Sequence, residues 1–528
     1  MATPAINFGT AACRAKCYSL SGAPLGIDRS LQSLQAGNLK ANCAVACDAD
    51  TGESSGGADG NDAAFVGQSV FVDATTGSDA TGAPYRFDLM YATVRAAFAA
   101  ASAGDTVYIY PGQYDESLLG DLILPPDVNV YGMRAAPTTL TAVDLLIASS
   151  TVNVIATLVP DVQLTTTPVS TITNIRLSPP VGAQAFRSED APNQFRRGEV
   201  FWVSCVISEN AGGGAGADGT IQISNTLTPF RARDCRIVSA LTGGIEPTTP
   251  ILVLEDGCAA ILQAGSVSGV VQDTTAATVT AEETRFDGFS SMLLLGSWTL
   301  RDCQFVPFSG GFGPPSLGFR GPAVTLDNVI VSLAGVTFSP IGIAPTYVLK
   351  NSEFRNGLVF SGDDTMVVSV SQCVVSAEFI CTGVSGTLKF ENSVFRDIFS
   401  FIINHATAGG GMYEFYNNVI ECDSSLAFSQ TVVSVVGVQS MTFSGNVVEI
   451  ANISDTASIR YNNGSNDSVA DSYLLHIFTR NTFNNQVAPP VYSIESVAPF
   501  QLFITSGGNT SNQGAGANVT IATPMTVD

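Results

Sequence analysis

VFVDATTGSDATGAPYRFDLMYATVRAAFAAASAGDTVYIYPGQYDESLLGDLILPPDVNVYGM, residues 70–133, carries three signals in succession. Val70, Phe71 and Val72 form a short β run that ends in a loop of Asp, Thr, Gly and Pro. Val94, Ala97, Phe98 and Ala101 then recur at i, i+3, i+4 and i+7, the stripe of one amphipathic helix, and Gly104 stands where a C-cap belongs. Val107 and Ile109 alternate up to a Pro111-Gly112 turn, and residues 122–131 give a further β run.

Strand, helix and strand in this order, with Gly104-Asp105-Thr106-Val107-Tyr108-Ile109-Tyr110-Pro111-Gly112-Gln113-Tyr114 opening the last part, resemble the N-terminal entry of right-handed parallel β-helices of the pectin lyase-like superfamily. The resemblance implies an all-β solenoid with an N-terminal capping helix. It implies no chemistry, because that family includes lyases, hydrolases, adhesins and non-enzymatic viral spikes.

Composition agrees with such a fold. The chain has 528 residues, 45% of them hydrophobic and only 13% charged, so it can bury a large core. Solenoids grow by adding coils, so this length does not require several globular domains. The net charge is −23. Such a surface repels phosphate and anionic lipid, which argues against nucleic acid or a membrane as the main partner. No apolar run approaches the ~20 residues of a membrane helix. The N-terminus lacks a basic segment followed by an apolar one, so we expect delivery other than by a signal peptide, such as assembly into a virus particle inside a host cell. An extracellular protein whose signal has been removed is the alternative.

Residues 1–62 differ from the rest. Cys13-x3-Cys17 and Cys43-x3-Cys47 precede a linker of Gly, Ser and Asp. Cysteines four apart share a helical face, so two antiparallel helices would be tied by nested disulfides, Cys13 to Cys47 and Cys17 to Cys43. The spacing within each pair resembles the twin CX3C helical hairpin, with a longer intervening loop. A four-cysteine zinc site and unlinked thiols are the other readings, although CX2C is the commoner zinc spacing. In each case the module reads as an attachment or oligomerisation domain. Residues 63–133 follow as cap and first coil, 134–500 as the shaft and 501–528 as a tail.

Beyond Met133 a pattern recurs: a small polar residue or Cys, any residue, then Phe, Ile or Val. Its copies begin at Asn174, Cys205, Cys235, Cys303, Ser352, Cys373, Ser393, Asn418, Asn446 and Asn481. Many successive copies lie roughly 20 to 35 residues apart, the length of one solenoid coil. Residues two apart on a strand share a face, so Cys303 points inward with Phe305, Ser352 with Phe354, and Asn418 with Ile420. Cys205, Cys235, Cys303 and Cys373 are therefore expected to be packing residues. Cys258, Cys381 and Cys422 fall outside this register.

Five N-x-[ST] sequons, at Asn452, Asn463, Asn466, Asn509 and Asn518, are confined to the C-terminal end and make it a candidate glycosylated surface. Turns rich in Asn are the alternative.

Enzymes of the resembled family carry recognisable sites. Pectate lyases use clustered Asp and an Arg base; polygalacturonase-like hydrolases use three Asp, two adjacent in G-D-D, with a G-H-G following. Gly362-Asp363-Asp364 is the one similarity to the latter, and adjacent carboxylates there would divide acid and base roles. Neither His405 nor His476 stands between glycines, so a solvated turn is the simpler reading of Asp363 and Asp364. No cofactor motif occurs. The leading expectation is a structural or adhesive virion component (spike, fibre or capsid-associated subunit) without catalysis. It would be a homo-oligomer, with a trimer favoured, joined to other virion proteins through its N-terminal module. The alternatives are a polysaccharide hydrolase or lyase and a non-catalytic carbohydrate-binding surface protein, so glycans are candidate partners in each.

Overall fold

The computed structural model describes residues 69–133 and the strand-bearing segments between 152 and 511; residues 1–68, 134–151, 512–528 and a set of intervening loops lie outside the described residues. Among the described residues the protein is almost wholly β, with one α-helix, Val94–Ala100. Its strands pair in parallel, an arrangement consistent with a parallel β-helix. Two compact units, Met1–Glu246 and Pro247–Asp528, are treated in turn.

In the first unit the chain visits three sheets and returns to the first. Ser69–Val72, Thr106–Ile109 and Asn129–Gly132 are neighbours in one sheet. Gly112–Asp115 pairs with Val152–Ile155 in a second, and Leu122–Leu124 with Leu158–Pro160 in a third. Alternation explains the choice of residues: Val107 and Ile109 are fully buried, while Thr106 before them and Tyr108 between them are not. The helix lays Val94, Ala97 and Phe98 on this core, and its N-cap Thr93 accepts from the Ala96 N–H. Helix ends otherwise leave backbone groups unsatisfied, and here the buried Glu116 carboxylate also accepts from Val94 N at 2.7 Å. Three details differ from the sequence reading. The helix ends at Ala100 with Ala101 as C-cap, so Gly104 serves a later bend at φ +89°. Gly112 begins a strand. Residues 122–131 split into two strands around Asp127, at φ +57°.

The second unit repeats the course many times. Its first sheet runs from Ile251–Glu255 through Thr346–Lys350 and Gly410–Tyr416 to Leu502–Gly507. The second contains Arg285–Phe289, Gln304–Pro307, Ile330–Val331 and Glu353–Phe354. A further stretch of that second sheet holds Ser316–Phe319, Gly335–Phe338 and Leu358–Ser361 as neighbours, and the long strand Val374–Thr382 pairs with both stretches. Phe319, Phe338 and Phe360 stack at 5.1 Å between centroids. Parallel register places like residues over like, so one buried ring per coil becomes a column, each ring contributing about 1.5–3 kcal/mol by burial alone.

Each passage from first to second sheet turns on one residue in the left-handed region. Asp302, Asn328, Asn351, Gln372, Asn392 and Asn417 all have φ between 51° and 55°. Short polar side chains tolerate this conformation best, and bulky or β-branched ones worst. The next residue points inward. Backbone bonds from one coil to the next, such as Ile330 N to Cys303 O, Glu353 N to Val329 O and Val374 N to Ser352 O, put these inward residues in one column. In chain order the second unit's column includes Cys258, Thr284, Cys303, Val329, Ser352, Cys373, Ser393, Asn418, Asn446 and Asn481, all buried. Cys258 thus stands in register, contrary to the sequence reading, and Thr284 and Val329 join it. In the first unit the column holds Ile175, Cys205 and Cys235, which makes Asn174 the turn residue, at φ +59°.

The column's polar members are satisfied by one another. Asn446 Oδ1 accepts from Asn418 N at 2.8 Å, Asn446 N donates to Asn481 Oδ1 at 2.9 Å, and Asn446 Nδ2 donates to Phe415 O at 2.9 Å. A buried amide in this setting leaves few of its donors and acceptors unpaired. Cys303 and Cys373 are buried, and loss of solvation raises both thiols to about 11, which marks them as packing groups rather than nucleophiles.

Candidate functional site

The residues singled out from sequence as site candidates lie outside the described residues: Cys13, Cys17, Cys43 and Cys47, the sequons at Asn452, Asn463, Asn466, Asn509 and Asn518, and Asp363 with Asp364. Gly362, just before the acidic pair, has φ +144° and follows the strand Leu358–Ser361. Glu282 forms an ion pair with Arg301 at 3.0 Å, whereas Asp256 and Glu283 occupy left-handed bends, as turn residues do.

The chemistry-bearing cluster that the structure brings together is elsewhere in the second unit. It lies where two long strands, Val374–Thr382 and Val394–Asn404, bend between the two stretches of the second sheet. Ser376 pairs with Arg396 and Glu378 with Ser400, so the register shifts between them. One residue, Ala377, fills the gap on one strand and 397–399 fill it on the other. Ala377 at φ +73° and Asp397 at φ +54° absorb the mismatch. Irregular bends of this kind re-aim side chains and recur beside functional sites.

Before the bend, Glu353 gathers two guanidinium groups. Arg355 Nε donates to Glu353 Oε1 at 3.2 Å, and Arg396 Nη2 reaches the same oxygen at 3.1 Å. Arg396 Nε also donates to Ser376 Oγ at 3.2 Å, which fixes the guanidinium across the intervening strand. After the bend, Glu378 lies over the backbone of Gly357, whose φ of +121° and absent side chain make room for it; a Cβ there would stand 3.3 Å from the Glu378 Cβ. Desolvation in this half-buried position raises the Glu378 carboxyl above its ordinary value. Phe399 projects from the same bend with its side chain 54% exposed.

The bend therefore carries a half-buried carboxyl that holds its proton to higher pH and an open aromatic ring, while the two guanidinium groups before it are paired with Glu353. Among the described residues no three His, Cys, Asp or Glu side chains gather as a metal site requires. Glu353, Arg355, Glu378 and Phe399 carry no motif. Phe395 and Phe401 are six apart and share a face by alternation; the break shows as Ile398, buried between them out of phase.

No protein-family model matches the chain, and no curated protein matches it. Among solved structures, the catalytic unit of a thermostable GH87 alpha-1,3-glucanase from Streptomyces thermodiastaticus strain HF3-3 aligns at 13% identity and a TM-score of 0.23, over 79% of this chain and 64% of that one. A GH136 lacto-N-biosidase from Eubacterium ramulus aligns at 10% identity and a TM-score of 0.18, over 84% of this chain and 68% of that one. The tailspike protein gp49 of Acinetobacter baumannii bacteriophage Fri1, a capsular polysaccharide depolymerase, aligns at 10% identity and a TM-score of 0.13, over 79% of this chain and 58% of that one. The chain thus spans less than two thirds of the length of the first and third of these structures.

Proposed function

We propose that the chain is a structural, adhesive protein built on a right-handed parallel β-helix of the pectin lyase-like type and carried on a virus particle as a spike, fibre or capsid-associated subunit. The observation that carries this reading is the inward column of the second unit. From Cys258 to Asn481 the same position in coil after coil is spent on stacking, first with thiols, hydroxyls and one valine and then with linked asparagines. A fold that repeats one stabilising contact over so many coils suits a load-bearing shaft. In this proposal residues 1–62 attach the shaft to other virion proteins, three chains assemble together, and the C-terminal end faces outward. The decisive test is whether the native protein is found in purified virus particles, and light scattering of the isolated protein should give a trimer mass. A monomer absent from particles would overturn the reading.

A second reading is favoured by the bend at Glu378: a saccharide-contacting surface, with or without turnover. The open Phe399 ring suits the apolar face of a sugar, and the carboxyl suits its polar substituents. Release of reducing ends or unsaturated products from a polysaccharide panel would make the protein an enzyme. Loss of that release in Glu378→Gln would place the chemistry at the bend, and loss in Asp363→Asn would move it to the acidic pair. Saturable binding without product would leave an adhesin.

A further inference from the structure

We propose that the segment 115–123 of the first unit, which joins the strands Gly112–Asp115 and Leu122–Leu124 through a 3-10 turn at Ser117–Leu119, is a preformed docking knob for a partner protein whose contact surface is apolar and ringed by Lys or Arg. The loop presents Leu118 at 90% exposure and Leu119 at 73%, with Ile123 beside them at 41%. Scattered exposed leucines need no explanation, but adjacent ones on a rigid support do. The support is Arg95. Its guanidinium donates to three carbonyls of the loop, Asp121 O at 2.8 Å, Glu116 O at 3.1 Å and Gly120 O at 2.8 Å. Glu116 ties the other end to the helix through Val94 N, and Asp115 accepts from both the N–H and the hydroxyl of Ser117. An ion pair from Arg187 to Asp121 at 2.6 Å closes the far side. Gly120, at φ +78°, lets the chain turn back into the strand Leu122–Leu124. A loop held at so many points loses little freedom on binding, which is the condition for an efficient contact.

Charge selects the partner. Two leucines and an isoleucine at these exposures offer on the order of 400 Å², about half of what each side of a standard interface supplies, so contacts beyond the knob must complete the interface. A second copy would bring together two chains of charge −23. Asp115 is fully exposed, and its bonds from Ser117 keep its carboxyl below the ordinary range, so a negative charge stands beside the leucines at neutral pH. An apolar surface with a basic rim complements both features. This inference goes beyond the function proposed above and requires neither a virus particle nor a glycan.

The test uses the full chain and the double variant L118S/L119S, whose unchanged thermal midpoint would show that folding is intact. The probe is a labelled synthetic amphipathic helix of Leu and Lys, with a Leu and Glu counterpart, read by fluorescence anisotropy. The wild-type chain should bind the Leu/Lys helix at least about tenfold more tightly than the variant does, and should bind the Leu/Glu helix more weakly. Equal binding of the Leu/Lys helix by both proteins would assign the attraction to bulk charge and overturn the proposal. Concentration-dependent dimers in sedimentation that vanish in the variant would assign the patch to a second copy, and would overturn the partner named here.

Discussion

Asn446 shows how much a single inward residue does. Its side chain accepts one backbone N–H, donates to one backbone carbonyl and meets the amide of Asn481 at 3.2 Å, all without solvent. Removing it leaves the Asn418 N–H and the Phe415 carbonyl buried and without this partner, and an orphaned buried group costs about 1–3 kcal/mol. We expect Asn446→Ala to destabilise the protein by about 2–4 kcal/mol, read as a fall in the urea midpoint. Cys373→Ser should be nearly neutral, because Ser393 already fills the next place in the same column with a hydroxyl. Glu378 tests the opposite case, a group the fold disfavours in its charged form. Burial raises its folded pKa above the ordinary glutamate value, so the folded state binds the proton more tightly than the unfolded state does. The associated stability is full below the unfolded pKa and is lost as pH rises through the folded one. Glu378→Gln should therefore raise the thermal midpoint at pH 7 and lose that advantage near pH 4. Solvent reaches much of this carboxylate and holds the gain under about 1 kcal/mol. An equal or larger advantage at pH 4 would show that packing, not charge, governs the site.

At the scale of elements, the corners set the register and the strands follow. Asn392, at φ +51°, donates its N–H to Tyr416 O at 3.0 Å while its exposed side chain points away from the core. Asn392→Gly keeps the left-handed bend available and should change stability little. Asn392→Val forces a β-branched residue into it and should cost about 1–2 kcal/mol, which comparison of the two denaturation midpoints would measure. This corner also explains what was legible in the sequence. The pairs Cys303 with Phe305 and Asn418 with Ile420 were readable because a strand alternates by two and because Phe and Ile mark the buried side. Cys258 escaped because Ala260, two residues on, is too small to stand out. Val329 escaped because an apolar residue takes the place usually held by a polar one. Asn174 was misplaced by one residue because asparagine suits both the corner and the column, and sequence alone does not say which. The bend at Glu378 was illegible for a different reason. Two strands of unequal count face each other there, and only pairing reveals the mismatch.

For the molecule as a whole, the question is what its charge does to a core made by stacking. With 46 acidic residues against 23 basic ones, at least half of the carboxylates have no basic side chain of their own to meet. The exposed ion pairs that do form, such as Arg86 with Asp88 and Lys389 with Glu391, are each worth little in water. Two terms then respond to salt with opposite sign. Screening weakens such attractive pairs and also weakens the repulsion among the uncompensated carboxylates, over a range that falls to about 10 Å at 0.1 M. Repulsion involves more charges, and the folded state crowds them more than the unfolded chain does, so it decides the sign. The buried asparagine bonds and phenylalanine columns lie out of reach of ions and supply no opposing term. Raising sodium chloride from about 0.01 M to about 0.3 M at pH 7 should therefore raise the thermal midpoint. The same change at pH 4.3, near the sequence pI, should leave it almost unaltered because little net charge remains to screen. A midpoint that falls with salt at pH 7 would mean that attractive pairs outweigh repulsion. The stability of the fold would then rest on its surface rather than on the columns inside it.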